Sequence, residues 1–169
     1  MNDGGQVPEQ RRAASQRHPG TPPRGHTIRL HRVLPAPPAV VFKALTDPRQ
    51  VATWSRHDAR IGRRLGGPFE MFDGWATGRV VVFRPPRRFA CTWRASSWRA
   101  TWDNSLVEWQ LTADARGTKV ELVHSLLPTA REAADHRKGW IAYGFEPLGE
   151  YLRKRGMVGG VGRRNQRRR

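Results

Sequence analysis

The sequence predicts an α+β protein: a strongly curved antiparallel sheet of about six to seven strands wrapped around a long C-terminal helix, with two short helices between strands 1 and 2. Three observations carry this expectation. A strand-like run is followed at once by two short helical segments meeting at Asp47-Pro48. Six further β-like runs then follow one another with turn residues between them. A long capped helical segment closes the chain.

The first run, "HTIRLHRVL", alternates Ile28, Leu30 and Arg32 against Arg29, His31 and Val33, as a half-buried strand does. Pro35, Pro37 and Pro38 end it. A helix from about Pro38 to Leu45 puts Val41, Phe42 and Leu45 on one face. Pro48 cannot continue that helix and forces Asp47 out of helical geometry. Asp47 can instead cap a second helix with Pro48 at its first position, offering Val51 and Trp54 inward.

The β-like runs are Ala59–Gly62, Pro68–Phe72, Thr77–Arg84, Phe89–Ala95, Ser105–Asp114 and Thr118–Leu126. Gly66-Gly67, Asp73-Gly74, Pro85-Pro86, Asp103-Asn104 and Ala115-Arg116-Gly117 separate them. From Thr129 to about Lys154 the pattern is helical, with Thr129 and Glu132 spaced as a capping box. Ala133, His136, Trp140, Tyr143, Leu148 and Leu152 form its inner stripe. Pro147 inside this stretch predicts a kinked or two-part helix.

A chain of 169 residues suits one domain with tails. The predicted boundaries are a basic N-terminal arm at 1–25, a folded domain at 26–154 and a Gly/Arg-rich tail at 155–169. Both ends lack apolar periodicity and are expected to be disordered. The net charge of +17 is uneven: residues 153–169 carry eight basic groups and no acid. A nonspecific polyanion contact through Arg163, Arg164, Arg167, Arg168 and Arg169 is one expectation, and a merely solvated tail is the other. A single cysteine, Cys91, excludes an internal disulfide. No apolar run is long enough to span a bilayer, and residues 1–24 lack a signal peptide's apolar stretch, so a cytoplasmic location is expected.

Several pieces together resemble the START-like helix-grip superfamily (SRPBCC), of the birch-pollen-allergen type. Within it they resemble the activator of heat-shock-protein-90 ATPase homologue-like family. They are "APPAVVFKALTDPRQVATW" at 36–54, "RRLGGPFEMF" at 63–72, "GRVVVFRPPRRFACTW" at 78–93, "SLVEWQLTADARGTKVELVHSLLP" at 105–128, and "GW" at 139–140 followed by "LGEYL". They cover nearly all of 28–152, in order. The resemblance implies a wedge between the concave face of the sheet and the terminal helix.

Alternation places Phe89, Cys91 and Trp93 on one strand face, Val107, Trp109 and Leu111 on another, and Val120, Leu122 and His124 on a third. If these are the concave faces, as the resemblance implies, they look toward Trp140 and Tyr143. Phe69, Met71, Phe42 and Trp54 could then close the space. The expectation is an apolar pocket for a small hydrophobic ligand; the alternative is that the same residues fill a core. His124 is the polar exception, read either as a buried neutral imidazole or as an acid–base group at the pocket floor.

Neither HxxxH nor CxxC occurs, and there is no GxSxG, P-loop or GxGxxG ahead of a helix, so no metal and no cofactor are expected. "WRASSWRATW" at 93–102 interleaves Trp with Arg, which suits either base stacking or stacking within a hairpin. Three functions follow: a noncatalytic binder of a small hydrophobic ligand, monomeric or homodimeric; an enzyme resembling the superfamily's polyketide cyclases, with His124 and Tyr143 moving protons; or a chaperone-ATPase-activator-like accessory protein acting through its basic surface.

Overall fold

The computed structural model describes residues 25–164 of the chain, and side chains as far as Met157. Strand β1 (His26–Leu34) leads into helices α1 (Pro38–Thr46) and α2 (Pro48–Ser55). Strands β2 (Arg60–Ile61), β3 (Pro68–Met71), β4 (Ala76–Arg84), β5 (Arg88–Ala95), β6 (Ser105–Asp114) and β7 (Gly117–Leu127) follow. The chain ends in α3 (Ala130–Gly139), a π-helical segment (Trp140–Phe145) and α4 (Glu146–Arg164). Every strand pairing is antiparallel, in the order β1-β7-β6-β5-β4-β3-β2. This is the curved seven-stranded sheet and helix arrangement the sequence predicts.

The corner between the short helices forms as its residues dictate. The Asp47 carboxylate accepts the Arg49 N–H at 3.0 Å, and Pro48 takes the first helical position. A cap of this kind contributes about 1 kcal/mol. Val41, Phe42, Leu45, Val51 and Trp54 are buried by the pair, and the Trp54 indole donates to the Ala44 carbonyl at 2.9 Å. In β1, Ile28, Leu30 and Leu34 turn inward, but Arg32 does not. It is exposed, with its guanidinium over the Phe145 ring. A charged head stays in water while its stem covers apolar surface.

Strands β4 and β5 approach so closely at Gly78 that a Cβ there would stand 1.9 Å from the Thr92 carbonyl oxygen. Two residues on, the register shifts between Val80 and Val82. A bulge of this kind bends the strand and tightens the local twist, which curves this half of the sheet over the C-terminal helices.

The predicted kink is a π turn rather than a bend at the proline. The Glu146 N–H donates to the carbonyl of Ile141, five residues back. Pro147, which has no N–H to give, falls in the first turn of α4, where none is needed. The wider turn rotates the inner face. Phe145 is buried in the place the stripe assigned to Tyr143, and Tyr143 is 66% exposed. The backbone of α4 continues to Arg164, past the boundary expected at 154. The side chains of Arg163 and Arg164, together with Arg167, Arg168, Arg169 and the arm at 1–24, lie outside the described residues. No helix among the described residues is long and apolar enough to cross a membrane.

Candidate functional site

The wedge between sheet and helix is largely filled. Phe69, Phe89, Trp93, Trp109, Trp140 and Phe145 meet one another at ring-centroid distances from 5.0 to 6.3 Å. Edge-on and tilted packing of this kind suits aromatic quadrupoles. Phe42, Trp54, Phe69, Met71, Phe89, Cys91, Trp109, Leu122 and His124 are all buried in this core. These nine residues, expected to line a pocket, sit among large rings from both layers, and none of them is on the cavity described below. Phe42 also lines a separate pocket of about 520 Å³ with Phe83 and the Pro85-Pro86 turn. Burial pushes the Cys91 thiol far up, so it stays protonated and inert.

A cavity of about 560 Å³ opens at the edge of this core. Trp93, Trp140 and Tyr143, three of the residues expected to line a pocket, do line it. Phe72, Trp75, Ser97, His57, Glu132, Asp135, His136 and Gly139 complete it. Sequence reasoning missed Trp75 because it lies in the β3–β4 turn, and Phe72 because it ends the expected run Pro68–Phe72 on the face opposite Phe69 and Met71, whereas the strand stops at Met71 and Phe72 joins the turn. His136, on the stripe expected to face inward, is buried beneath Trp93 and Trp98.

Beneath the cavity two indoles hold two imidazoles. Trp93 Nε1–H donates to His136 Nε2 at 3.2 Å, while His136 Nδ1 stands 2.9 Å from the Glu132 carbonyl oxygen. Trp140 Nε1–H donates to His124 Nδ1 at 3.0 Å. His124 Nε2 in turn meets Ser105 Oγ at 2.7 Å, and that hydroxyl donates to the Trp93 carbonyl. An indole can only donate, so each histidine must accept on one nitrogen and carry its single proton on the other. Both are thereby fixed as neutral tautomers. Burial pushes His124 down to about 2 and lowers His136, with the nearby carboxylates and the Glu132 carbonyl opposing the second shift. His124 has no exposed surface and both nitrogens are engaged. It is a structural imidazole and does not line the cavity.

At the rim, His57 Nδ1 and Asp73 Oδ2 are 2.6 Å apart, and Asp73 Oδ1 accepts the Asp58 N–H at 2.7 Å. These bonds, led by the one to His57, hold the Asp73 carboxyl below its usual range. Asp73 lies in a turn where Phe72, Asp73 and Gly74 all have positive φ (55°, 58° and 80°). Only the glycine adopts that region without cost. The latch to the His57–Asp58 segment and the packing of Phe72 hold the turn in place.

The Trp/Arg run at 93–102 is structural. Arg94 donates to the carbonyls of Arg99 and Trp102, Arg99 lies over the Trp102 ring, and Trp98 is buried with its N–H on Glu132 Oε2 at 2.8 Å. Glu132 thus completes only half of the expected capping box. Its N–H bonds Thr129 Oγ1, but its carboxylate serves Trp98. Among the described residues no group of three or more His, Cys, Asp or Glu could hold a metal.

An antiparallel sheet gripping a terminal helix, with a cavity between them, defines a helix-grip domain. Residues 35–153 match the family model described as "Activator of Hsp90 ATPase homolog 1-like protein", and the chain belongs to that family. Solved structures agree. A protein of Mesorhizobium loti is 23% identical over 76% of this chain and 98% of its own, with TM-score 0.68. An Hsp90 activator of Plasmodium falciparum is 24% identical over 68% of this chain and 86% of its own, with TM-score 0.61. CalU16 of Micromonospora echinospora is 28% identical over 76% of this chain and 74% of its own, with TM-score 0.62. A 63-residue stretch is 35% identical to an uncharacterized protein of Schizosaccharomyces pombe, covering 37% of this chain but only 19% of that relative's length.

Proposed function

We propose that the protein binds a small, largely apolar molecule in the cavity between the β3–β4 turn, β5 and the α3–π segment, without transforming it. The observation that carries this reading is the cavity itself: about 560 Å³, walled by Phe72, Trp75, Trp93, Trp140 and Tyr143. That size and chemistry fit a drug-sized ligand with a few polar groups fixing its orientation. The noncatalytic part rests on the two inner histidines, whose nitrogens are all engaged, and on the inert Cys91. The cyclase-like alternative would need His124 to move protons at the ligand, and His124 is sealed away from it. Another similar structure, DynU16 from the dynemicin biosynthetic locus, is 26% identical over 75% of this chain and 47% of its own, with TM-score 0.64. That neighbourhood is compatible with small-molecule handling.

The test is a melting-temperature screen of the full chain against aromatic, polyketide-like and sterol compounds. A ligand at about 100 times its Kd stabilises by roughly 2.7 kcal/mol, a shift of several degrees for a domain of this size. The shift should vanish in Trp75→Ala or Tyr143→Ala, both exposed positions outside the buried core. Absence of any shift across the panel would overturn the reading. The chaperone-facing role suggested by the family's name and the polyanion contact through the arginine tail are separate proposals. Truncation after Met157 tests the second.

A further inference from the structure

This chain carries 31 Lys and Arg residues, yet none of those among the described residues lines the cavity. Its polar wall is Glu132, Asp135, His57, His136 and Ser97, with Asp73 behind His57. Asp135 is partly answered by Arg131 at 3.7 Å, an exposed pair of little strength. Glu132 is different. Its side chain is only 23% exposed. One carboxylate oxygen takes the Trp98 N–H, and the only basic group paired with it among the described residues is His136, at 3.4 Å. His136 cannot answer the charge as a cation, because its Nε2 accepts the Trp93 indole proton. A partly buried carboxylate therefore lines the cavity with an indole N–H and the N-terminus of α3 on it but no Lys or Arg paired with it among the described residues, so a cation entering the cavity would supply the missing charge.

The apolar wall points the same way. Five aromatic side chains surround the space, with Trp75 edge-on to Trp93 at 6.2 Å and Phe72 edge-on to Trp75 at 6.5 Å. Rings set at angles to one another present both faces and edges, and the faces attract cations. We infer that the cavity selects a cationic ligand: a protonated or quaternary amine carried on an apolar body, its charge set between the ring faces and the Glu132 carboxylate. This inference rests on the binding reading above and narrows it. Among the described residues, anions such as fatty acids or phosphates meet Glu132 and Asp135 here and no Lys or Arg, and the imidazole at the rim, His57, is already held by Asp73.

The test compares two molecules of nearly the same shape. Benzyltrimethylammonium carries the charge; neopentylbenzene replaces its nitrogen with carbon. Phenylacetate is the anionic control. Titration calorimetry on the full chain should show the cation binding at least about tenfold more tightly than neopentylbenzene, and phenylacetate more weakly than either. Glu132→Gln keeps an acceptor for Trp98 and removes the charge. It should weaken the cation about fivefold or more and leave neopentylbenzene unchanged. If Glu132→Gln disturbs folding, Trp75→Ala should weaken the cation more than the neutral probe. Equal or tighter binding of neopentylbenzene or phenylacetate overturns the charge assignment and leaves the pocket standing. If none of the three binds, the pocket reading falls, and this inference with it.

Discussion

His124 accepts the indole proton of Trp140 at 3.0 Å, and so its own ring proton resides on Nε2, facing Ser105. Protonating His124 would set two N–H groups against each other. The same logic fixes His136 through Trp93. These two bonds turn a pair of titratable side chains into neutral core members.

A pH dependence follows. His124 in the fold titrates at about 2, against about 6.5 in an unfolded chain, and His136 is shifted in the same direction. Below pH 6.5 the unfolded state takes up protons that the native state refuses. Stability is therefore fully present above that pH and declines as pH falls. For His124 alone the loss between pH 7.5 and 5.5 is about 1.4 kcal/mol, and His136 adds to it. Urea melts across that range should show the decline. His124→Gln should flatten it, and a stability constant from pH 7.5 to 5.5 would refute the buried neutral assignment.

Removing one donor isolates the bond. Trp140→Phe leaves His124 Nδ1 buried without a partner, at a cost of about 1–3 kcal/mol beyond the change in packing. Replacing both partners removes the orphaned group, so Trp140→Phe with His124→Leu should cost less than the two single losses added together. A double-mutant cycle in urea reads the coupling directly. Additive losses would mean the bond contributes nothing.

The sheet, the two-helix corner and the broken terminal helix were legible because each rests on local chemistry. Asp47-Pro48 can do little else, and alternation in "SLVEWQLTAD" admits one face inward. The cavity was not legible. Its position depends on how far the aromatic side chains of β5, β6 and the π segment fill the wedge, a balance of volumes that alternation does not report. Trp75 enters from a turn, where no periodicity marks an inward face, and Phe72 joins that turn from the strand face opposite Phe69 and Met71. The π turn likewise left no signal beyond Pro147, and its rotation moved Tyr143 from the core stripe to the rim of the cavity.

Glu132 ties the 96–104 hairpin loop to α3 through Trp98. Glu132→Ala should release that loop while leaving the sheet intact. Hydrogen exchange is the suitable measurement: amides of residues 96–104 should exchange at least about tenfold faster, as loss of about 1.4 kcal/mol of local stability implies. Amides in β6 and β7 should keep their protection. An unchanged loop would show that Arg94 holds it without help.

At the rim, Asp73→Asn tests the latch between the β3–β4 turn and the His57 segment. The amide retains one acceptor for the Asp58 N–H but loses the charge opposite His57. Because Asp73 is held below its usual range in the fold, the native latch is present at neutral pH and is lost as pH falls through that depressed value. In the variant this acid-dependent component should disappear, and exchange at the Asp58 amide should be faster at pH 7. His57 should also lose the nitrogen chemical-shift signature of an Nδ1 proton held by a carboxylate. An unchanged His57 signature would place the anchor of that ring elsewhere.

Gly78 offers the sharpest steric test. A methyl group there would stand 1.9 Å from Thr92 O, 2.6 Å from Thr92 C and 2.9 Å from Thr92 Oγ1. The first two are backbone atoms that cannot swing aside. The crowding also reaches the bond from the Arg79 N–H to Thr92 Oγ1, at 2.9 Å. Strands β4 and β5 would have to separate at the point where the sheet turns over the core. Overpacking of this kind costs about 3 kcal/mol, so Gly78→Ala should unfold well before the parent chain in urea. The loss should not be recovered by a ligand that stabilises the parent, because Trp75 and Trp93 lie on the two strands or turns being pushed apart. Parent-like stability in Gly78→Ala would mean that the approach of these strands is looser than the 1.9 Å contact requires.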